Sequence, residues 1–221
     1  MSLTAKQKRG VTITVVTIVV FMLVVLGLLV RRISMPTILS DGALRANGAF
    51  VYETPRIIKE FDLVDHHGKA FTKENLKGKW TLAFFGFTFC PDVCPTTMAE
   101  LKNLYEELQG TEVADDTQVI LFSVDPARDT PEKLAEYVPY FHPEFIGVTG
   151  EFMNIYRLAT NVNIAFNKVA LGGSEDPNNY TVDHSANIVL INDHGDYQGF
   201  FKPPFELAKL KMTYRSIRAT H

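Results

Sequence analysis

At 221 residues, 46% hydrophobic and 21% charged, the chain is long and apolar enough for one sizeable packed domain plus a further segment. A formal net charge of −3, with no basic cluster away from the N-terminal apolar run, argues against a nucleic-acid partner. Two cysteines in total exclude a disulfide framework.

Residues 1–10 are a short lead. Val11 to Val30 contains no charged residue and is rich in Val, Leu and Ile. Twenty helical residues at about 1.5 Å each match a bilayer core of roughly 30 Å, so residues 11–30 read as one transmembrane helix. A cleaved signal peptide is the weaker reading: the run is long and ends in Arg31-Arg32, with no small-x-small site after it. Lys6, Lys8 and Arg9 before the run nearly balance Arg31, Arg32 and Arg45 after it. The free amine tips the N-terminus inward, and a large C-terminal domain can be translocated largely regardless of charge. The short lead leaves no room for a mitochondrial transit peptide, which favours a bacterial inner membrane crossed once.

Residues 31–55, with Pro36, Gly42, Gly48 and weak periodicity, read as a linker, and residues 56–221 as the folded domain. Phe61 to Val64 and Ala70 to Phe71 flank a turn at Asp65-His66-His67-Gly68. Trp80 to Phe89 is an apolar strand, Pro95 to Leu108 an amphipathic helix and Val119 to Val124 a second strand. Thr130 caps a helix with Pro131 in its first turn, running toward Tyr140. A strand at Phe145 to Val148, a helix at Glu151 to Thr160 and a strand at Ile164 to Val169 follow. Gly172 to Asn179 is a loop. Asn187 to Ile191 and Tyr197 to Phe201 flank Asn192-Asp193-His194-Gly195 as a hairpin, and Pro204 to about Ile217 is a final helix. This order predicts an α/β fold, a mixed central sheet with helices on both faces. A parallel strand pair joined by a helix and followed by an antiparallel hairpin is the thioredoxin plan.

Both cysteines lie in one motif, Phe89-Cys90-Pro91-Asp92-Val93-Cys94-Pro95, at a strand-to-helix junction. Such a pair is a redox couple or a soft-metal site. With Pro91 at the first helical position, Cys90 would sit at the helix N-terminus, where N–H groups and the dipole stabilise a thiolate. Cys94 would follow on the same face, with Pro95 bending the turn. Three intervening residues depart from the two usual in thioredoxin-like couples. Structural zinc wants four Cys or His ligands, whereas Cu(I) accepts soft, low coordination. His184, expected in a loop before the strand at Asn187, is the candidate third ligand, with Asp183 orienting the site or capping the loop. His66, His67 and His194 fall in predicted turns and read as solvated. His142 reads as a helix end and His221 is terminal. Asp125 and Asp129 read as structural, with an Arg128 ion pair, and Phe87 or Phe89 as a shield over the site. Phe200 to Pro204 reads as buried packing.

Three segments resemble the signatures of the Sco/SenC proteins: Phe85 to Thr96 around the cysteines, Ser123 to Pro131, and Val182-Asp183-His184-Ser185. They occur in the family's order, and the resemblance covers roughly Phe61 to the C-terminus. It implies a thioredoxin-like fold with insertions, facing the periplasm or an intermembrane space. It implies copper held by Cys90, Cys94 and His184, as Cu(I) with Cu(II) left open. It further implies a copper donor, and a role in assembling the binuclear copper centre on the copper-binding subunit of cytochrome c oxidase or in another copper protein. The alternative is a thiol–disulfide oxidoreductase, with Cys90 as nucleophile and Cys94 as resolving thiol. A peroxide-scavenging enzyme is the weakest reading, because no residue is identified that would activate a peroxidatic cysteine.

Overall fold

The computed structural model describes residues 5–34, 37–172 and 179–221. Two compact units result, Met1–Thr37 and Ile38–His221.

The first unit is one helix, α1 (Ala5–Ser34). Its span Arg9–Arg32 is long and apolar enough to cross a membrane. Thr14 and Thr17 donate their hydroxyls to the carbonyls of Gly10 and Ile13, so these polar groups are satisfied within the helix.

The second unit begins earlier than the sequence reading placed it. Part of the expected linker is folded, as α2 (Asp41–Ala46) and β1 (Ala49–Arg56). Ser40 caps α2 by accepting from the Ala43 N–H, and Leu44 buries its side chain. Gly48, read as a linker glycine, follows the Asn47 C-cap at φ +81°, the left-handed conformation that ends helices. One turn and a mixed edge strand are too short to show a period, which is why pattern reading passed over them.

The remaining strands are β2 (Asp62–Asp65), β3 (Ala70–Thr72), β4 (Trp80–Gly86), β5 (Thr117–Ser123), β6 (Ile146–Thr149), β7 (Phe166–Ala170), β8 (Tyr180–His184), β9 (Ile188–Ile191) and β10 (Tyr197–Phe201). The helices are α3 (Val93–Leu108), α4 (Pro131–Phe141), α5 (Phe152–Asn161) and α6 (Leu207–Thr220). Eight strands form one mixed sheet in the order β1-β10-β9-β4-β5-β6-β2-β3. β4, β5 and β6 are parallel, β9 runs antiparallel to β4, and β1 closes one edge by pairing antiparallel with β10. β4 and β5 are buried along their whole length, as strands covered on both faces are, and each has an apolar centre, Leu82 to Phe85 and Val119 to Phe122. The α/β plan inferred from element order is the one observed.

Two differences bear on the site. The segment before β9, expected as a loop, is β8, paired with β7 in a separate two-stranded sheet that puts His184 opposite Phe166. The inward alternation of Tyr180 and Val182 was its available signal. The expected loop at Gly172 to Asn179 lies mostly outside the described residues. At its ends the Leu171 N–H donates to the Asn179 carbonyl at 3.0 Å.

Candidate metal centre

β4 ends at Gly86, and a turn over Phe87 to Asp92 leads into α3. The helix starts at Val93, so Pro91 lies outside it, contrary to the expected position. Pro95 falls in the first turn, where backbone N–H groups have no intrahelical partner, and it costs no helical hydrogen bond. The expected bend at Pro95 therefore has no cause. Asp92 occupies the N-cap position but makes no side-chain cap. Cys90 takes that part: its Sγ accepts the first-turn N–H of Cys94 at 3.3 Å. The helix end thus addresses the Cys90 sulfur as expected, but a turn rather than a shared helical face brings the cysteines together.

His184, ninety residues further on, completes the cluster. Its Nε2 lies 3.3 Å from the Cys94 Sγ. Its Nδ1 faces the Ser185 carbonyl at 3.2 Å. A carbonyl only accepts, so Nδ1 carries the proton and the Nε2 lone pair points at the sulfurs. Cys90 Sγ, Cys94 Sγ and His184 Nε2 all lie within 4.8 Å of one another. Three donors around one ion, with bonds of about 2.0–2.3 Å, sit roughly 3.5–4.0 Å apart in trigonal geometry, so closure of no more than about 1 Å brings the set together. Both cysteines are free thiols.

Burial sets the charge state. Cys94 is fully buried, and loss of hydration, followed by its contact with Cys90, pushes its thiol far above the usual range. Burial lowers the His184 imidazole. At neutral pH, before an ion binds, Cys94 is therefore an uncharged thiol beside an uncharged His184 imidazole. A soft cation supplies the charge that would stabilise thiolates here.

The surroundings are built to hold these atoms. The rings of Phe84 and Phe87 stand edge-on to His184 at 5.7 and 5.8 Å. Phe87 is buried and fits the expected shield, whereas Phe89 is 56% exposed and lies under the Arg128 guanidinium at 4.8 Å. Asp129 is buried and accepts from the Thr88 N–H at 3.0 Å, the Thr88 hydroxyl at 2.6 Å and the Ser123 hydroxyl at 2.7 Å. It clamps the turn that carries Cys90. Arg128 pairs with Asp125 as expected, donates to the Tyr180 carbonyl at 3.1 Å and stacks 3.9 Å over its ring. The Tyr180 hydroxyl donates to Asp125 at 2.7 Å, so the start of β8 is tied to the loop after β5. Asp183 is exposed.

Gly86, Thr88 and Tyr180 are the site residues that sequence reasoning missed. A Cβ on Gly86 would lie 3.0 Å from the Cys94 sulfur and 2.8 Å from Phe84. Gly86 and Thr88 lie within the Phe85 to Thr96 segment that resembles the family signature, and that was the available hint.

The other histidines stay apart from the cluster. His66 is not solvated as expected. It is 8% exposed, and its Nδ1 accepts the Gly147 N–H at 3.0 Å. His142 does cap α4, and its ring packs on Tyr105 and Phe145. His194 is exposed beside Asp193.

The SCO1/SenC family model matches residues 51–217, which take in all three donor residues. The chain belongs to the SCO1/SenC family. A SCO2-like protein of Rickettsia typhi is 36% identical over 181 residues, covering 81% of this chain and 86% of that protein. Arabidopsis thaliana ScoI, solved with copper bound, superposes at a TM-score of 0.68 with 32% identity, covering 75% of this chain and all of that one. Copper-bound Bradyrhizobium japonicum ScoI gives 0.60 with 36% identity, over 74% of this chain and 98% of that one.

Proposed function

We propose that this SCO1/SenC member is a membrane-anchored copper carrier that holds Cu(I) on Cys90, Cys94 and His184 and passes it to the binuclear copper centre of cytochrome c oxidase during assembly. The observation that carries the reading is the convergence of two sulfurs and one imidazole lone pair within 4.8 Å. The copper-bound structures of relatives supply the choice of ion. Two thiolates and one imidazole suit Cu(I), and among the described residues no fourth Cys or His ligand completes a structural zinc site. Copper is cargo here: it leaves by exchange onto a partner's thiolates, and a Cys90–Cys94 disulfide blocks loading. The span Arg9–Arg32 anchors the chain in a bacterial inner membrane, with the C-terminal unit in the periplasm.

The test is Cu(I) competition against a chromophoric chelator, on the reduced full chain in detergent, beside His184→Ala. One tight equivalent, weakened at least a hundredfold by the substitution, is the expected result. Equal affinity in the two proteins refutes the ligand set. A second reading has its own observation. The half-buried Cys90 sulfur accepts a helix N–H while Cys94 lies fully buried behind it, the arrangement of an attacking and a resolving thiol. In that case His184→Ala would leave reduction of a partner disulfide intact.

A further inference from the structure

A groove of about 630 Å³ lies between the β7–β8 hairpin, α5 and the loop after β5. Phe166 and Lys168 of β7, with His184 and Val182 opposite them, share one face of the hairpin. Phe152, Tyr156 and Phe166 form an apolar wall, with ring centroids 6.3 Å apart for Phe152–Tyr156 and 5.9 Å for each of these rings to Phe166. Phe152 is 49% exposed and Tyr156 46%, so a contiguous aromatic patch faces water, the mark of an interaction site. The groove also carries a cation. Lys168 is exposed, its Nζ lies 3.6 Å over the Tyr180 ring, and among the described residues no carboxylate pairs with it. Asp125 lines the groove too, but it is buried and already engaged by Arg128 and the Tyr180 hydroxyl. The lining therefore offers aromatic surface and a positive charge, with its one carboxylate already taken.

The groove is continuous with the metal centre. A smaller hollow that includes His184 and Ser185 shares Phe166 and Asn167 with it. Lys168 lies two residues along β7 from Phe166, the residue opposite His184, a separation of about 7 Å at ~3.4 Å per residue. We propose that this groove docks an extended segment of the protein that receives the copper, a segment that pairs an aromatic or aliphatic side chain with a carboxylate. The apolar side chain packs on Phe152 and Tyr156, and the carboxylate faces Lys168. A partner seated this way brings its neighbouring residues to the His184 side of the donor cluster, where its own thiolates can take over the ion. Charge complementarity selects the occupant: a basic segment would meet Lys168 with like charge. The identity of the partner rests on the proposed function, whereas the selectivity of the groove does not.

The test uses the reduced full chain in nanodiscs of uncharged lipid, since detergent could itself fill an apolar groove. The probes are two dye-labelled peptides, one of alternating phenylalanine and glutamate and one of alternating phenylalanine and lysine, followed by fluorescence anisotropy. The glutamate peptide is expected to bind more tightly. Lys168→Met should weaken it about threefold, the worth of a solvent-facing charge pair. Phe152→Ala should weaken it about tenfold, as loss of an aromatic anchor does. Lys168→Glu should reverse the preference toward the lysine peptide, a rescue that a folding defect cannot produce. Equal binding of the two peptides to wild type, or binding indifferent to Lys168→Glu and Phe152→Ala, overturns the groove. The second readout is the rate of Cu(I) transfer to the copper-binding subunit of cytochrome c oxidase. It should fall in Lys168→Glu and Phe152→Ala with Cu(I) affinity unchanged. An unchanged transfer rate overturns the partner, as does a dimer of wild type that Phe152→Ala dissociates, which would give the groove to a second copy. If wild type binds no Cu(I), the proposed function fails while the peptide comparison still decides the groove.

Discussion

Gly86→Ala puts the packing of the site to a quantitative test. The added methyl would lie 3.0 Å from the Cys94 Sγ and 2.8 Å from the Phe84 ring, both fully buried. Carbon and heavier atoms rest about 3.5–4.0 Å apart, so the overlap is on the order of half an ångström or more in two directions. Gly86 ends β4, which is hydrogen-bonded on one side to β5, so the backbone cannot retreat freely. Overpacking of this kind costs about 1–3 kcal/mol. In a unit of this size that lowers the melting temperature by roughly 2–4 °C per kcal/mol. Gly147→Ala on β6 is the matched control, since its Cβ would meet Val138 at 2.9 Å and Leu134 at 3.0 Å, residues of α4 outside the donor cluster. Both variants are followed by circular dichroism melts and by Cu(I) competition. Both are expected to melt lower, and Gly86→Ala alone to lose copper affinity, by about tenfold or more, because its clash displaces a ligand atom. An unchanged melting temperature in Gly86→Ala refutes the packing argument. Equal copper loss in the two variants refutes the claim that Gly86 makes room for the Cys94 sulfur.

Three further outcomes follow from the same geometry. Because burial holds the Cys94 thiol above its usual range, loading must expel its proton. Copper affinity should therefore rise about tenfold per pH unit for each proton released, and a weakly buffered titration should record the release; no proton release refutes the charge assignment. Burial lowers both His66 and His184 below the ordinary 6.5, so the unfolded chain binds more protons in acid. Their stability contribution is complete above pH 6.5 and is lost as pH falls below 6.5 through their lowered folded values, and His66→Gln should flatten that limb of a denaturation-versus-pH curve. Asp129→Asn keeps the shape but cannot accept from three donors around one carboxylate, so urea denaturation should show a loss of about 2–4 kcal/mol. Its Cu(I) affinity should fall as well, since the Thr88 clamp holds the Cys90 turn; wild-type stability would refute the clamp.

Much of the molecule was legible along the chain. The α4 cap needed only Thr130 and Pro131, whose roles are local. β4 and β5 announced themselves through their apolar centres, Leu82 to Phe85 and Val119 to Phe122, because strands covered on both faces are largely apolar. α1 needed only a count of uncharged residues. β1 was missed because an edge strand with one covered face and a bulge carries little pattern, and its partner β10 lies at the far end of the chain. The helix start at Val93 rather than Pro91 was missed for a different reason. Proline is acceptable at either position, and tertiary hydrogen bonds, Thr88 to Asp129 among them, shape the turn before it.

Sequence alone therefore determined the chemistry on offer: two adjacent soft donors, a histidine in a motif, an apolar span, and the order of strands and helices. Periodicity, capping and residue type act over a few neighbours, and these features are written at that range. Tertiary structure decided what the donors could do together. His184 reaches the Cys94 sulfur only because β8 pairs with β7 and is tied through Tyr180 to Asp125 and Arg128. The burial that keeps Cys94 protonated and His184 neutral exists only when β4, α3 and the Phe84 and Phe87 rings close around them. Proximity and desolvation are properties of packing between distant segments, and no local pattern encodes them.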